Sequence, residues 1–233
     1  MSTIDKNANL VFKENNFWKQ VYTLIQKDAQ LEWRQKSGVG GLLLYVGATA
    51  LLSFLAFKRI DGLTWVTLYW LMLVFAAVNA VAKSFMAESR ERMRFYYGLA
   101  SPQAIIMAKL LYNCGLLIII AGLGLIIFSM LFGNPIENMS LFVVIAFLGA
   151  VGFSFCFTLV SAIAAQTGGN AALMPILSFP IIIPVFILLL SLSKIALIDT
   201  FNANFALDLG NLLAINVLLL VLSVILFQFV WKE

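Results

Sequence analysis

Histidine is absent from this chain of 233 residues, cysteine occurs twice, and only 11% of the residues are charged. Each shortage closes off chemistry. Without histidine, the commonest general base, metal ligand and axial haem ligand are missing. Cys114 and Cys156 lie far apart inside apolar runs with no CxxC spacing, so neither a disulfide framework nor a zinc site is expected, and both read as inert packing thiols. No GxxxxGK[ST] phosphate loop is present, so the chain cannot be its own ATPase. Carboxylate pairs, Ser/His constellations and His/Cys clusters at usable spacing are also lacking, and no catalytic or metal site is expected.

What fills the chain instead is apolar: 62% of it is hydrophobic and it holds 20 phenylalanines, more than a water-soluble fold can bury. Six stretches of the length a bilayer-crossing helix needs can be read from Gly38 to Phe57, Gly62 to Ala82, Leu110 to Phe132, Met139 to Ala162, Leu173 to Ser193, and Leu209 to Trp231. They are continuous, without the alternation of a β-barrel. The fold class is therefore all-α, a polytopic membrane protein with six transmembrane helices. Met1 to Asn16 is polar and mixed in charge, without the apolar core of a secretory signal, so insertion is expected to rely on the spans.

Charge placement orients the chain. Lys6, Lys13, Lys19, Lys27, Arg34 and Lys36 precede the first span, Lys83, Arg90, Arg92, Arg94 and Lys109 lie between the second and third, and Lys232 ends the chain. Only Lys58, Arg59 and Lys194 fall on the other side, so the positive-inside rule puts both termini in the cytoplasm. A net charge of +4 placed beside apolar runs suits an anionic leaflet, and nucleic acid is not an expected partner. Trp65, Tyr69 and Trp70 near the start of the second span, with Trp231 at the last exit, read as interfacial anchors, an aromatic ligand platform being the alternative.

The chain divides into a polar tail (1–16), a cytoplasmic interfacial helix (17–36) and a six-span permease domain (37–233) with a charged cytoplasmic loop at 83–109. In the helix, Trp18, Val21, Tyr22, Ile25, Ala29 and Trp33 share one broad face, opposite Lys19, Gln20, Thr23, Gln26, Lys27, Gln30 and Arg34. Asp28 and Glu32 intrude at its apolar margin. Such a helix either lies in the headgroup boundary or docks on a partner. The loop mixes both charge signs with aromatics and methionines, as a helix that docks into another protein does; an ordinary solvated loop is the alternative. Ser101 and Pro102 then form a helix start, Ser as N-cap and Pro at the first helical position, so the third span begins in water.

Gly168-Gly169 marks a tight cytoplasmic turn. In the fifth span Pro175, Pro180 and Pro184 each remove a backbone donor, which makes the segment either a packing kink or part of a substrate path. Between Ile195 and Leu209, a moderately apolar stretch flanked by Asp199 and Asp208 reads as a short re-entrant or interfacial helix. No ionisable residue falls near the middle of a span, which argues against an ion-coupled carrier. Asn79, Asn113 and Asn216 are expected to make interhelical hydrogen bonds.

Six spans, an interfacial N-terminal helix and a charged loop between the second and third spans resemble the permease subunit of an ABC exporter. More narrowly, Gly168-Gly169 followed by Pro175, Pro180 and Pro184 in an apolar helix is similar to the CcmB family, the haem-exporter permeases of cytochrome c maturation. Phe85 with Glu88, Leu99 to Pro102 leading to Ala108-Lys109, and Asp28 to Arg34 add to the resemblance, which covers about residues 20 to 231. The chain departs from the family pattern at Thr167, where a basic residue is usual, in a longer gap from the glycines to Pro175, and in a more basic and aromatic loop.

The resemblance implies a multi-pass protein of the bacterial inner membrane, non-catalytic itself, partnered by a CcmA-like ATPase, CcmC- and CcmD-like membrane subunits, a CcmE-like haem chaperone and a second copy of itself. It implies that Phe85, Glu88, Glu91, Arg92 and Arg94 meet the ATPase, while Gly168, Gly169, Pro175, Pro180 and Pro184 shape a moving helix. No cofactor is expected to bind this chain directly; ATP enters through the ATPase and haem through partner subunits. The alternative is a permease exporting a lipid, glycan or drug-like solute, and a structural assembly factor is a third reading.

Overall fold

A lipid-embedded backbone can satisfy its polar groups along a single segment only by coiling into a helix. The computed structural model describes residues 17–34, 37–57, 59–86, 101–166, 173–200 and 204–230, and helices dominate them. Helix α1 (Phe17–Arg34) precedes α2 (Ser37–Phe57), α3 (Gly62–Met86), α4 (Pro102–Phe132), α5 (Met139–Gln166), α6 (Leu173–Ile198) and α7 (Phe205–Val230). The last six are each long and apolar enough to cross a membrane, and no strand occurs among the described residues. The chain is a polytopic all-helical membrane protein.

Capping residues set the helix ends. Ser101 is extended (φ −70°, ψ 143°), its Oγ accepts from Ala104 N at 3.3 Å, and Pro102 follows where no donor is needed. Asn138 Oδ1 accepts from Leu141 N at 3.0 Å at the start of α5. Asp61 caps α3 by accepting from Thr64 N at 3.3 Å and from the Thr64 hydroxyl. Helix therefore reaches further than hydropathy indicates: α3 continues to Met86 and α4 begins at Pro102, so part of the expected 83–109 loop is helical. The separate helix expected between Ile195 and Leu209 is also corrected, because α6 runs on to Ile198 and α7 begins at Phe205. Ile195 and Ala196 are buried in the bundle, and Asp199, at φ 45°, receives a 2.6 Å hydrogen bond from Asn138 Nδ2 just after α6 ends.

Helix α5 is the hub, packed against α3, α4, α6 and α7; 67% of its span is buried, against 17% in α2 and 22% in α7. Between helices that lipid solvates as well as it solvates leucine, close approach and polar contacts hold the bundle. Gly149 and Gly152 provide that approach on α5. A Cβ on Gly149 would lie 2.6 Å from the Trp70 ring, and one on Gly152 would lie 2.5 Å from Asn216 Oδ1.

Trp65, Tyr69 and Trp70 are not interfacial anchors: they are 1%, 0% and 0% exposed, inside the bundle. Trp65 stacks on Tyr69 with ring centroids 5.8 Å apart and meets Phe128 and Phe142 edge-on, while Phe153 stands perpendicular to Trp70 at 5.9 Å. Two of the three polar tips are satisfied by neighbouring helices, Trp70 Nε1 donating to Ser193 Oγ at 3.0 Å and the Tyr69 hydroxyl to Ala121 O at 3.2 Å. Trp65 Nε1 has no hydrogen-bond partner among the described residues. The aromatic block thus joins α3, α4, α5 and α6 in the half of the bundle away from α1.

Candidate functional site

The site follows from the length of α4. Its 31 residues make a rod of about 46 Å, against a hydrocarbon core of about 30 Å, so roughly ten residues stand outside the apolar slab. Counted back from Phe132, a run of about 30 Å of helix ends near Asn113, so the excess is the end from Pro102 to Lys109, which holds the charged residue of the helix. This end also receives the chain from residues 87–100, which include Glu88, Glu91, Arg92 and Arg94 and lie outside the described residues. Phe85 is in the last turn of α3, and its side chain lies outside the described residues as well.

Helix α1 packs along this protrusion. Gln20 Oε1 accepts from Ser101 N at 3.2 Å, Asp28 Oδ2 pairs with Lys109 Nζ at 3.1 Å, and Glu32 Oε2 accepts from the Tyr112 hydroxyl at 2.5 Å. The offsets between partners are 81, 81 and 80 residues, so the two helices run side by side in the same direction over about three turns. Small side chains allow it: Ala104 and Ala108, one turn apart, form a buried seam with Val21, bordered by Phe17, Leu24, Ile25 and Met107.

The broad apolar face expected on α1 therefore divides. Val21 and Asp28 are buried on α4, whereas Trp18 and Tyr22 remain 66% and 61% exposed along the neighbouring edge. Asp28 belongs to the docked face, and Lys109, expected as a loop cation, is a buried helical residue 4% exposed. Lys27 reaches the second Asp28 oxygen at 3.1 Å, so this carboxylate lies between two ammonium groups. Of the four residues in the two lower rungs, Asp28, Glu32 and Lys109 stood out in the sequence and Tyr112 did not, and none was paired; the signal was acceptors one turn apart on α1 facing donors one turn apart on α4.

Deeper in the bundle, Asn113 Nδ2 donates to Thr158 Oγ1 at 2.9 Å and Asn216 Nδ2 to Leu148 O at 3.1 Å, both between helices as expected. Asn79 differs, donating to Phe75 O of its own helix at 2.9 Å. Helix α6 passes unbroken through Pro180 and Pro184, which lie on an outward stripe with Ile176, Phe179, Ile183 and Ile187, opposite the buried Ser178, Ile182, Val185 and Leu189. The side chain of Pro175 and residues Gly168 and Gly169 lie outside the described residues. No group of three or more potential metal ligands occurs among the described residues.

A model of the family described as CcmB protein matches residues 19–230, nearly the whole chain. The chain belongs to the CcmB family. As a CcmB-family protein it is a permease subunit of the ABC-type haem-export system of cytochrome c maturation. The match begins within α1 and ends at the last residue of α7, so most of the α1 sequence lies inside the matched region. Neither the curated proteins nor the solved structures yield a match.

Proposed function

We propose that this chain couples ATP hydrolysis in a CcmA-like partner to release of a haem-loaded, CcmE-like chaperone on the opposite side of the bacterial inner membrane. The observation that carries the reading is the family match over residues 19–230, joined to a helix α4 that protrudes from the apolar slab and begins just after residues 87–100. Glu88, Glu91, Arg92 and Arg94 supply both charge signs at short spacing, which suits a complementary groove on the ATPase, and Phe85 adds an apolar contact one residue group earlier. Both termini are cytoplasmic in this reading, because the lysines and arginines concentrate at the α1 end.

The work of the chain is mechanical. Movement at residues 87–100 enters α4 at its capped first turn, passes to α5 through their contact, and reaches α6 and α7 from that hub. Pro180 and Pro184 each omit one backbone bond in α6, which gives that helix a point of flexure as the hub moves. Haem is cargo held by CcmC-, CcmD- and CcmE-like partners, consistent with a sequence without histidine, and two copies of this chain complete the membrane pathway.

The test is affinity purification of the tagged protein from mild detergent, comparing wild type with Glu88→Lys/Glu91→Lys. An ATPase and a haem-bearing membrane subunit should accompany the wild type, and the variant should lose the ATPase while still inserting in the membrane. An ATPase without haem proteins would favour a permease for another solute; unchanged association in the variant would remove the coupling role from these glutamates.

A further inference from the structure

Helix α1 has no covalent reason to follow α4, since α2 and α3 lie between them in the chain, yet three contacts in nearly constant register bind the two. We infer that Asp28–Lys109 and Glu32–Tyr112 form a polar latch making α1 and the protruding turns of α4 one lever, so that force entering at Ser101 also moves α1. The assignment rests on the coupling role proposed above and adds Asp28, Glu32, Lys109 and Tyr112 to it as positioning residues.

Three features distinguish a latch from incidental surface pairing. The Asp28 and Lys109 side chains are 7% and 5% exposed, so both charges are held by protein groups instead of water, Asp28 by Lys109 and Lys27 together. A buried pair of this kind adds little net stability over an apolar contact, but moving α1 off register separates two charges shielded from water, which penalises alternative registers. The rungs sit one turn apart on both helices, so sliding or rotating α1 by a single residue breaks both together. At the top, Gln20 Oε1 accepts the backbone N–H of Ser101, the residue that caps α4 and receives the chain from residues 87–100. Helix α1 therefore completes the start of α4, and the lever includes the point where force would arrive.

The latch also explains why the α1–α4 seam is small and apolar around a charged centre. Val21, Ala104 and Ala108 bring the backbones close without dictating register, because alanine offers no knob that fits only one position. Specificity is left to the polar rungs.

The experiment is amide hydrogen exchange of the intact protein in lipid nanodiscs, for wild type, Asp28→Asn, Lys109→Met and the double variant, with Tyr112→Phe as a milder probe that removes only a hydroxyl. Each charge variant should speed exchange of residues 17–34 about tenfold while α5 and α6 keep their protection, and the double variant should be no worse than either single one. Unchanged α1 exchange, loosening spread over the whole bundle, or strictly additive effects would overturn the latch. Transmission is read on the purified complex with Mg-ATP. The single charge variants should retain the ATPase yet release the haem-loaded chaperone several-fold more slowly, and release at the wild-type rate from a loosened α1 would overturn the lever. If wild type retains no ATPase, the proposed function fails, while the exchange result still decides the latch by itself.

Discussion

Replacing Gly149 by alanine sets two effects of opposite sign against each other at the hub of the bundle. Alanine is the better helix former by about 0.8–1.0 kcal/mol, so in open space the substitution stabilises. At Gly149 the new Cβ would stand 2.6 Å from Cη2 and Cζ3 of Trp70 and 3.0 Å from Cδ2 of Leu189. The Trp70 ring cannot swing aside at little cost: Tyr69, Phe142 and Phe153 surround it, and Nε1 is held by Ser193. Overpacking of this kind costs about 1–3 kcal/mol, which offsets or exceeds the propensity gain, so Gly149→Ala should destabilise by up to about 2 kcal/mol net. Gly122 is the control, because nothing lies within 4 Å of a Cβ built there and only the propensity term remains. Thermal unfolding in detergent, followed by loss of the monodisperse peak on size exclusion, should show a lower Tm for Gly149→Ala and an equal or higher one for Gly122→Ala. Adding Trp70→Phe to Gly149→Ala should recover part of the loss by opening the space the methyl needs. The reasoning is refuted if Gly149→Ala moves Tm in the same direction as Gly122→Ala.

Burial of the second-span aromatics predicts quenching behaviour: with the other tryptophans replaced by phenylalanine, Trp70 (0% exposed) should resist brominated lipid and aqueous acrylamide, whereas Trp18 (66% exposed) should be quenched by acrylamide. Strong lipid quenching of Trp70 would restore the interfacial reading. At the start of α3, hydrogen bonds from the Thr64 side chain and backbone hold the Asp61 carboxyl below its usual range. A lowered folded-state pKa stabilises above the unfolded pKa and is lost as pH falls through the folded one, so Asp61→Ala should lower Tm at neutral pH and converge with wild type in acid. A deficit that persists unchanged in acid would assign the effect to something other than the carboxylate.

Hydropathy identified the six spans because continuous apolar runs of this length have one outcome in a bilayer, and the starts at Gly62, Met139 and Leu173 coincide with observed helix starts. It failed where a residue's type is compatible with two places. Trp65, Tyr69 and Trp70 suit the headgroup region and a packed core equally well, and their position near a span end suggested the first; Ser193, seen only in the fold, satisfies Trp70 Nε1 and permits the second. Lys109 reads as a loop cation because hydropathy ends there, although the Ser101-Pro102 cap already required a helix through it. Asp28 and Glu32 look misplaced on an amphipathic face only while that face is assigned to lipid. Once α4 is known to protrude, carboxylates facing Lys109 and Tyr112 are what the seam requires.

The two ends of the bundle are therefore built from different materials, and the difference bears on how it can move. Away from α1, the Trp65, Tyr69 and Trp70 block locks α3, α4, α5 and α6 through ring contacts and two hydrogen bonds, and close-packed aromatic rings resist small displacements. At the α1 end, α4 is held by a short seam of alanines and by polar rungs that keep α1 and α4 in register. In the proposed coupling, force applied at Ser101 thus meets the α1–α4 lever first and a stiff block last. A helix loaded in this way tilts about its stiff end, so the largest excursion belongs to α1 and the first turns of α4. The middle of the pathway, where Asn113 bridges to Thr158 and Asn216 to Leu148, moves less but contains the bundle's interhelical asparagine contacts. Coupling by tilt needs no charge in the bilayer centre, which agrees with the placement of the Asp28–Lys109 pair near the start of α4.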